Sequence, residues 1–270
     1  MDNKRIALIT GANQGVGLQV AKELVANGLT VFVGSRVLDR GAAAAKEIGA
    51  GAIAVQLDVT DSASIEAAAT HIRQEFGRLD LLINNAGISN TSKGTLSLEE
   101  YAKVTRASTA SLDEVRAVWE TNVFGTLAVY QAMLPLLRES SDARIVNVSS
   151  GVGSLTTNAD PAYGYRAMFG PIYPASKAAE NAITLAMMIE LESTNIKITW
   201  SPRGSPGRTS TDTRASSLSR TAPARWYALH SLVRMARPER SPGGRTRRSR
   251  GDQISGESLT CPIDPRVVPR

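Results

Sequence analysis

Short, nearly unbroken apolar runs alternate along the first 200 residues with longer stretches in which apolar residues return every third or fourth position. The runs at 5–9, 30–35, 52–57, 79–83, 144–148 and 196–200 are rich in Ile, Val and Leu. Such runs are what a strand buried on both faces requires. The periodic stretches at 18–27, 41–48, 62–76, 111–137 and 178–191 predict helices. Ser62 is placed to cap the third of them, and Ser111-Leu112-Asp113-Glu114 has capping-box spacing at the start of the fourth. Strand–helix alternation predicts an α/β fold with a doubly wound parallel sheet in three layers. Segments 88–110 and 151–171 are polar and irregular and read as loops. Ligands of such folds bind beyond the carboxyl ends of the strands, where long loops commonly line the substrate site.

The pattern stops near residue 200, and composition changes there too. Residues 1–200 carry 17 basic and 20 acidic side chains, a net of −3; residues 201–270 carry 14 Arg, no Lys and 5 acids, a net of +9. The overall charge of +6 therefore describes neither part. The expected organisation is a folded domain over 1–200 and a basic, Arg/Ser/Pro-rich tail over 201–270. In the tail, 226–235 is the longest helical candidate. The tail buries too little apolar area to offset its ordering entropy and is expected to be poorly ordered. No segment approaches the ~20 apolar residues of a membrane span. Residues 1–5 run straight into the first strand, so no signal peptide is expected, and the lone Cys261 excludes an intrachain disulfide or a cysteine metal cluster. A cytoplasmic protein is the expectation.

Candidate chemistry gathers at the predicted strand ends. Thr10-Gly11-Ala12-Asn13-Gln14-Gly15-Val16-Gly17 joins the first strand to the first helix. Strand, Gly-rich turn and helix together present backbone N–H groups and a helix N-terminus to a phosphate. After the second strand, where an acid would bind ribose hydroxyls, stands Arg36, with Arg40 one turn later. An Arg there accommodates a 2′-phosphate; a solvated surface role is the alternative, above all for Arg40. Asp58 ends the third strand, Asn84-Asn85-Ala86-Gly87 follows the fourth, and Ser149-Ser150 closes the fifth. Asn122 lies within a helix, where bonding to backbone is the ordinary role. Tyr173 and Lys177 are four apart at the start of the last predicted helix and so share a face. An ammonium near a phenol favours the phenolate, which makes Tyr173 a proton donor or acceptor usable nearer neutral pH.

Taken together and in this order, the motifs over residues 4–200 closely resemble the short-chain dehydrogenase/reductase family, and its carbonyl-reductase branch in particular. The resemblance implies a Rossmann fold and an NAD(P)-dependent oxidoreductase that transfers hydride between the cofactor and a small carbonyl or alcohol substrate, with no metal; Arg36 makes NADPH the expected cofactor in preference to NADH. It implies that Tyr173 is the general acid and that Lys177 favours the phenolate and holds the nicotinamide ribose. It further implies that Ser150, with Ser149 as competitor, bonds the carbonyl oxygen, and that Asn122 positions a water in a proton relay. Gly11, Asn13, Gln14, Gly15, Val16 and Gly17 would admit the pyrophosphate. Asp58 would contact the adenine, and Asn85, Ala86 and Gly87 would line the cofactor groove. Membrane and nucleic acid are not expected partners; a homo-oligomer through the helices at 111–137 and 174–192 is what family habit implies.

The family continues past its sixth strand with Ser-Pro-Gly and a Thr that contact the nicotinamide, whereas this chain reads Trp200-Ser201-Pro202-Arg203-Gly204. Two readings stand. One is a genuine basic tail for nucleic acid or lipid. The other is a shifted reading frame near residue 199: codons read from the third base of Trp200 allow Val-Ser-Pro-Gly-Phe-Thr-x-Thr, and a GC-rich gene read out of frame gives Arg without Lys. An altered tail would leave a non-catalytic NADP-binding protein as the alternative to an enzyme. Sequencing the gene around codon 199 decides between the two tails.

Overall fold

The structure is a computed structural model that describes residues 4–91 and 98–203. Its six strands are β1 (Ile6–Ile9), β2 (Thr30–Ser35), β3 (Ala52–Gln56), β4 (Leu81–Asn84), β5 (Arg144–Ser150) and β6 (Lys197–Arg203). All pair in parallel, in the order β3-β2-β1-β4-β5-β6. Each residue of β1 sends its side chain to the face opposite its neighbour's. Ile6 and Leu8 join a core with Phe32, Leu57, Ile72, Met133 and Ile145. Ala7 and Ile9 join a second core with Val20, Leu24, Val33, Ile83 and Val146. Two covered faces explain the unbroken apolar runs. The order reverses between β1 and β4, so the carboxyl ends of these two strands flank the crevice where such sheets bind ligands.

The helices are α1 (Gly15–Ala26), α2 (Leu38–Ile48), α3 (Ser62–Phe76), α4 (Leu98–Val104), α5 (Leu112–Trp119), α6 (Gly125–Arg138), α7 (Leu155–Ala159) and α8 (Tyr173–Glu190). Three features depart from the expectations. The helix predicted over 111–137 is two helices joined by a π turn, Glu120–Phe124, which centres on the buried Asn122. A π turn admits one extra residue, which periodicity over a long window cannot register. The cap of α3 is Asp61, whose side chain accepts from the Ala63 N–H at 3.1 Å, and not Ser62. The segments expected to be irregular hold α4, α7 and short 3₁₀ turns. These pieces are too short to show a period. β6 continues past the predicted end at 200, because its ladder with β5 runs on to Ser150 opposite Arg203. The tail expectations beyond Arg203, including a helix over 226–235, lie outside the described residues. No described helix is long and apolar enough to cross a membrane.

Helices α6 and α8 meet through a polar contact that gives a pH test. Tyr130 Oη donates to Glu190 Oε2 at 3.0 Å. Burial first, and then the carboxylate, pushes the Tyr130 phenol up to about 12. The folded state therefore holds this proton more tightly than the unfolded chain, whose Tyr titrates near ~10. The contribution is fully present below pH ~10 and is lost as pH rises to about 12. Tyr130→Phe is expected to lower urea stability at pH 8 and to narrow its deficit against the parent chain as pH rises through that window. A deficit independent of pH counts against the assignment.

Candidate active site

The β1–α1 turn, the β2–α2 junction and the ends of β3 and β4 enclose a cleft of about 540 Å³. Gly11, Asn13, Gln14, Gly15, Val16, Arg36, Arg40, Asp58, Asn85, Ala86 and Gly87 line it. Gly17 does not; it packs behind the turn, where an added Cβ would stand 2.5 Å from Asn85 Nδ2 and 2.8 Å from the Gly11 carbonyl. Gly11 and Gly15 both hold φ at 61°, a left-handed conformation that side chains disfavour. No side chain caps the N-terminus of α1 and no acid occupies its first turn. The positive end of the helix, with its orphan N–H groups, therefore faces the cleft, and the site fits the phosphates of a dinucleotide.

Hydrogen bonds fix the floor of this cleft. Thr10 Oγ1 accepts from the N–H groups of Asn85 and Ala86 at 3.0 and 2.9 Å. Asn85 Nδ2 donates to the carbonyls of Thr10 and Gly11 at 2.9 and 3.0 Å. β1 and β4 thus end as one unit. Asp58 Oδ1 accepts from the N–H and hydroxyl of Thr60 at 3.0 and 2.8 Å, which orients the carboxylate at the cleft edge. Arg36 and Arg40 are exposed and form no ion pair among the described residues.

The remaining candidates lie on α8 or in segments packed against it. Ser149 is buried and its hydroxyl lies 2.5 Å from Asn181 Oδ1 of α8. Ser150 is half-buried on the opposite side of the strand, and its Oγ accepts from the Val152 N–H at 3.4 Å. The turn that follows Ser150 packs directly on α8: a Cβ at Gly153 would stand 2.8 Å from the Lys177 carbonyl carbon. Tyr173 opens α8, and two residues before it the Pro171 carbonyl accepts from the Trp119 indole N–H at 2.9 Å. Asn122 is fully buried and braces three segments. Its Oδ1 accepts from the Ile88 N–H at 2.9 Å, and its Nδ2 donates to the Ile88 carbonyl at 2.9 Å and to Ser176 Oγ at 3.0 Å. Lys177 is buried, and its ammonium donates to the Val148 carbonyl at 3.0 Å and to Glu180 Oε2 at 2.5 Å.

Several site residues escaped the sequence reading. Ser35, Val37, Leu57, Val59, Ile88 and Thr121 complete the cleft wall. Val59, Ile88 and Thr121 adjoin residues that the motifs pick out, so adjacency was their only signal. Tyr101 of α4 is half-buried; its phenol is pushed up by burial first, and then by nearby Tyr173 and Glu114. Glu180 carried a readable signal. It occupies the inward stripe Lys177, Glu180, Thr184, Met187, Leu191, whose 3-4-3-4 spacing marks one helix face.

Known proteins resemble this chain in sequence and in fold. The profile of the short chain dehydrogenase family matches residues 5–222. A short-chain dehydrogenase of Penicillium roqueforti is 37% identical over 210 residues, 74% of this chain and 78% of that protein. The (-)-isopiperitenone reductase of Mentha piperita is 36% identical over 183 residues; the match covers 56% of this chain and 58% of the mint protein. Among solved structures, salutaridine reductase of Papaver somniferum superposes with a TM-score of 0.61 at 25% identity, covering 74% of this chain and 86% of that one.

Proposed function

The chain belongs to the short chain dehydrogenase family and is an NAD(P)-dependent oxidoreductase, and from that premise we propose that it uses NADPH to reduce a ketone or aldehyde reversibly to an alcohol. The observation that carries the reading is the Lys177 ammonium beside Gly87 of the dinucleotide cleft, with the turn after Ser150 packed on Lys177 and Tyr173 one turn before it on α8. The cofactor supplies the hydride. Tyr173 donates the proton to the carbonyl oxygen, and Ser150 donates a hydrogen bond to the same atom, stabilising the charge that develops there. Strand alternation favours Ser150 over Ser149 for this task, because the Ser149 hydroxyl is turned into the α8 interface. The Lys177 ammonium, beside Gly87 of the cleft, holds the cofactor ribose. Asn122 keeps Ile88 and Ser176 in register around them.

Arg36 supports the choice of NADPH. It lines the cleft after β2 with no acid beside it in that position, and a guanidinium fork matches a phosphate. Arg36→Ala is expected to weaken NADPH binding by about ten- to a hundredfold while leaving NADH unchanged. Fluorescence titration with both cofactors checks this, and equal affinities in the parent chain would sink the assignment. For the activity itself, NADPH oxidation is followed against a panel of ketones and aldehydes. Binding of NADPH without turnover on any of them favours a non-catalytic dinucleotide-binding protein.

A further inference from the structure

Lys177 and Glu180 form a buried ion pair three residues apart on α8, with side chains 4% and 1% exposed. Taking both charges out of water is costly and is repaid only by close geometry. Here the separation is 2.5 Å, and the second acceptor of the ammonium is the Val148 carbonyl of β5 at 3.0 Å. Two further contacts set where Nζ stands. The turn after β5 presses on the Lys177 backbone at Gly153, so the side chain starts from a fixed point. Gly87, which lines the dinucleotide cleft, lies alongside the other end: a Cβ there would stand 3.5 Å from Nζ and 3.3 Å from Asn122 Oδ1. The ammonium therefore stands beside the cleft wall at residue 87. An ammonium has three donors, and Val148 and Glu180 take two of them on the β5 and α8 sides.

We propose that Glu180 is a positioning residue for the reaction: its carboxylate, with the Val148 carbonyl, clamps the Lys177 ammonium at the Gly87 flank of the cleft and supplies the counter-charge that keeps a buried lysine there. This rests on the reading of Lys177 as a group that touches the cofactor. Without the carboxylate, the ammonium either withdraws toward water or loses its charge, and in both cases it ceases to meet the ribose.

The test is a cycle of four full-length proteins, the parent chain, Glu180→Leu, Lys177→Met and the double variant, read by NADPH titration and urea unfolding. Glu180→Leu is expected to weaken NADPH binding about tenfold. The same substitution in the Lys177→Met background is expected to change affinity no further, and the double variant to be at least as stable as Glu180→Leu. Glu180→Gln keeps the volume and one acceptor, and is expected to fall between the parent chain and Glu180→Leu in affinity. A folded Glu180→Leu with parental NADPH affinity overturns the proposal. So does an affinity loss of equal size with and without Lys177, which would mark a merely structural acid. If Glu180→Leu does not fold, removal of Lys177 must restore folding; failure of both proteins also overturns it. A parent chain that binds no NADPH is a different result, since it removes the functional reading itself.

Discussion

Tyr173→Phe is expected to reduce carbonyl turnover by on the order of a hundred- to ten-thousand-fold, the usual range for loss of a general acid, while NADPH still binds. The substitution deletes one oxygen and keeps the ring. Tyr173 opens α8, and Ser176 Oγ bonds its backbone carbonyl at 2.7 Å, a contact the phenol does not share. The fold and the clamp at Pro171 should therefore survive. Loss of rate with unchanged cofactor affinity separates the proton donor from a binding role, and single-turnover NADPH oxidation beside a fluorescence titration measures both. Retention of most activity would place the acid elsewhere. Tyr101 is the next phenol to test, because Tyr173 is near enough to help push the Tyr101 phenol up.

Gly17→Ala is expected to cost about 3 kcal/mol, a fall in Tm on the order of 6–12 °C, together with most NADPH binding. The added Cβ has no room. It would stand 2.5 Å from Asn85 Nδ2, 2.8 Å from the Gly11 carbonyl and 3.0 Å from Ala12 Cα. Two of these are backbone atoms of the turn and cannot step aside. The third belongs to the amide that ties Thr10 and Gly11 to the end of β4. Relief therefore means displacing Asn85 and losing hydrogen bonds at the buried junction of β1 and β4, on which the cleft floor depends. Gly164→Ala is the control, since nothing lies within 4 Å of its added Cβ. Thermal melts and NADPH titration of the two variants should differ sharply. Equal, small effects would mean that the turn relaxes freely and that the tight packing at residue 17 does not shape the cleft.

The sequence by itself determined the strands, their parallel arrangement and the Gly-rich turn that lines the cleft. Each of these is written locally: an apolar run such as 79–83 is continuous only if both faces of its strand are covered, and a Gly-rich turn between strand and helix can present N–H groups wherever it occurs. The order of the motifs from Gly11 to Lys177 was equally legible, because it is a property of the chain alone. What the fold decided is which atoms those motif residues meet. Ser149 and Ser150 are neighbours of one kind in sequence; the pleat of β5 and the position of Asn181 turn one hydroxyl into α8 and leave the other beside the site. Asn122 reads as an ordinary helical amide until the π turn carries it against Ile88 and Ser176, 34 and 54 residues away in the chain. Glu180 lies on a stripe that spacing marks as inward, yet an acid there acquires meaning only when Val148 and the Gly153 turn, brought in from β5, force Lys177 to point its ammonium at it. Periodicity reports which face of an element is buried; the partner on that face comes from distant chain, and its hydrogen bonds are settled only when the layers close.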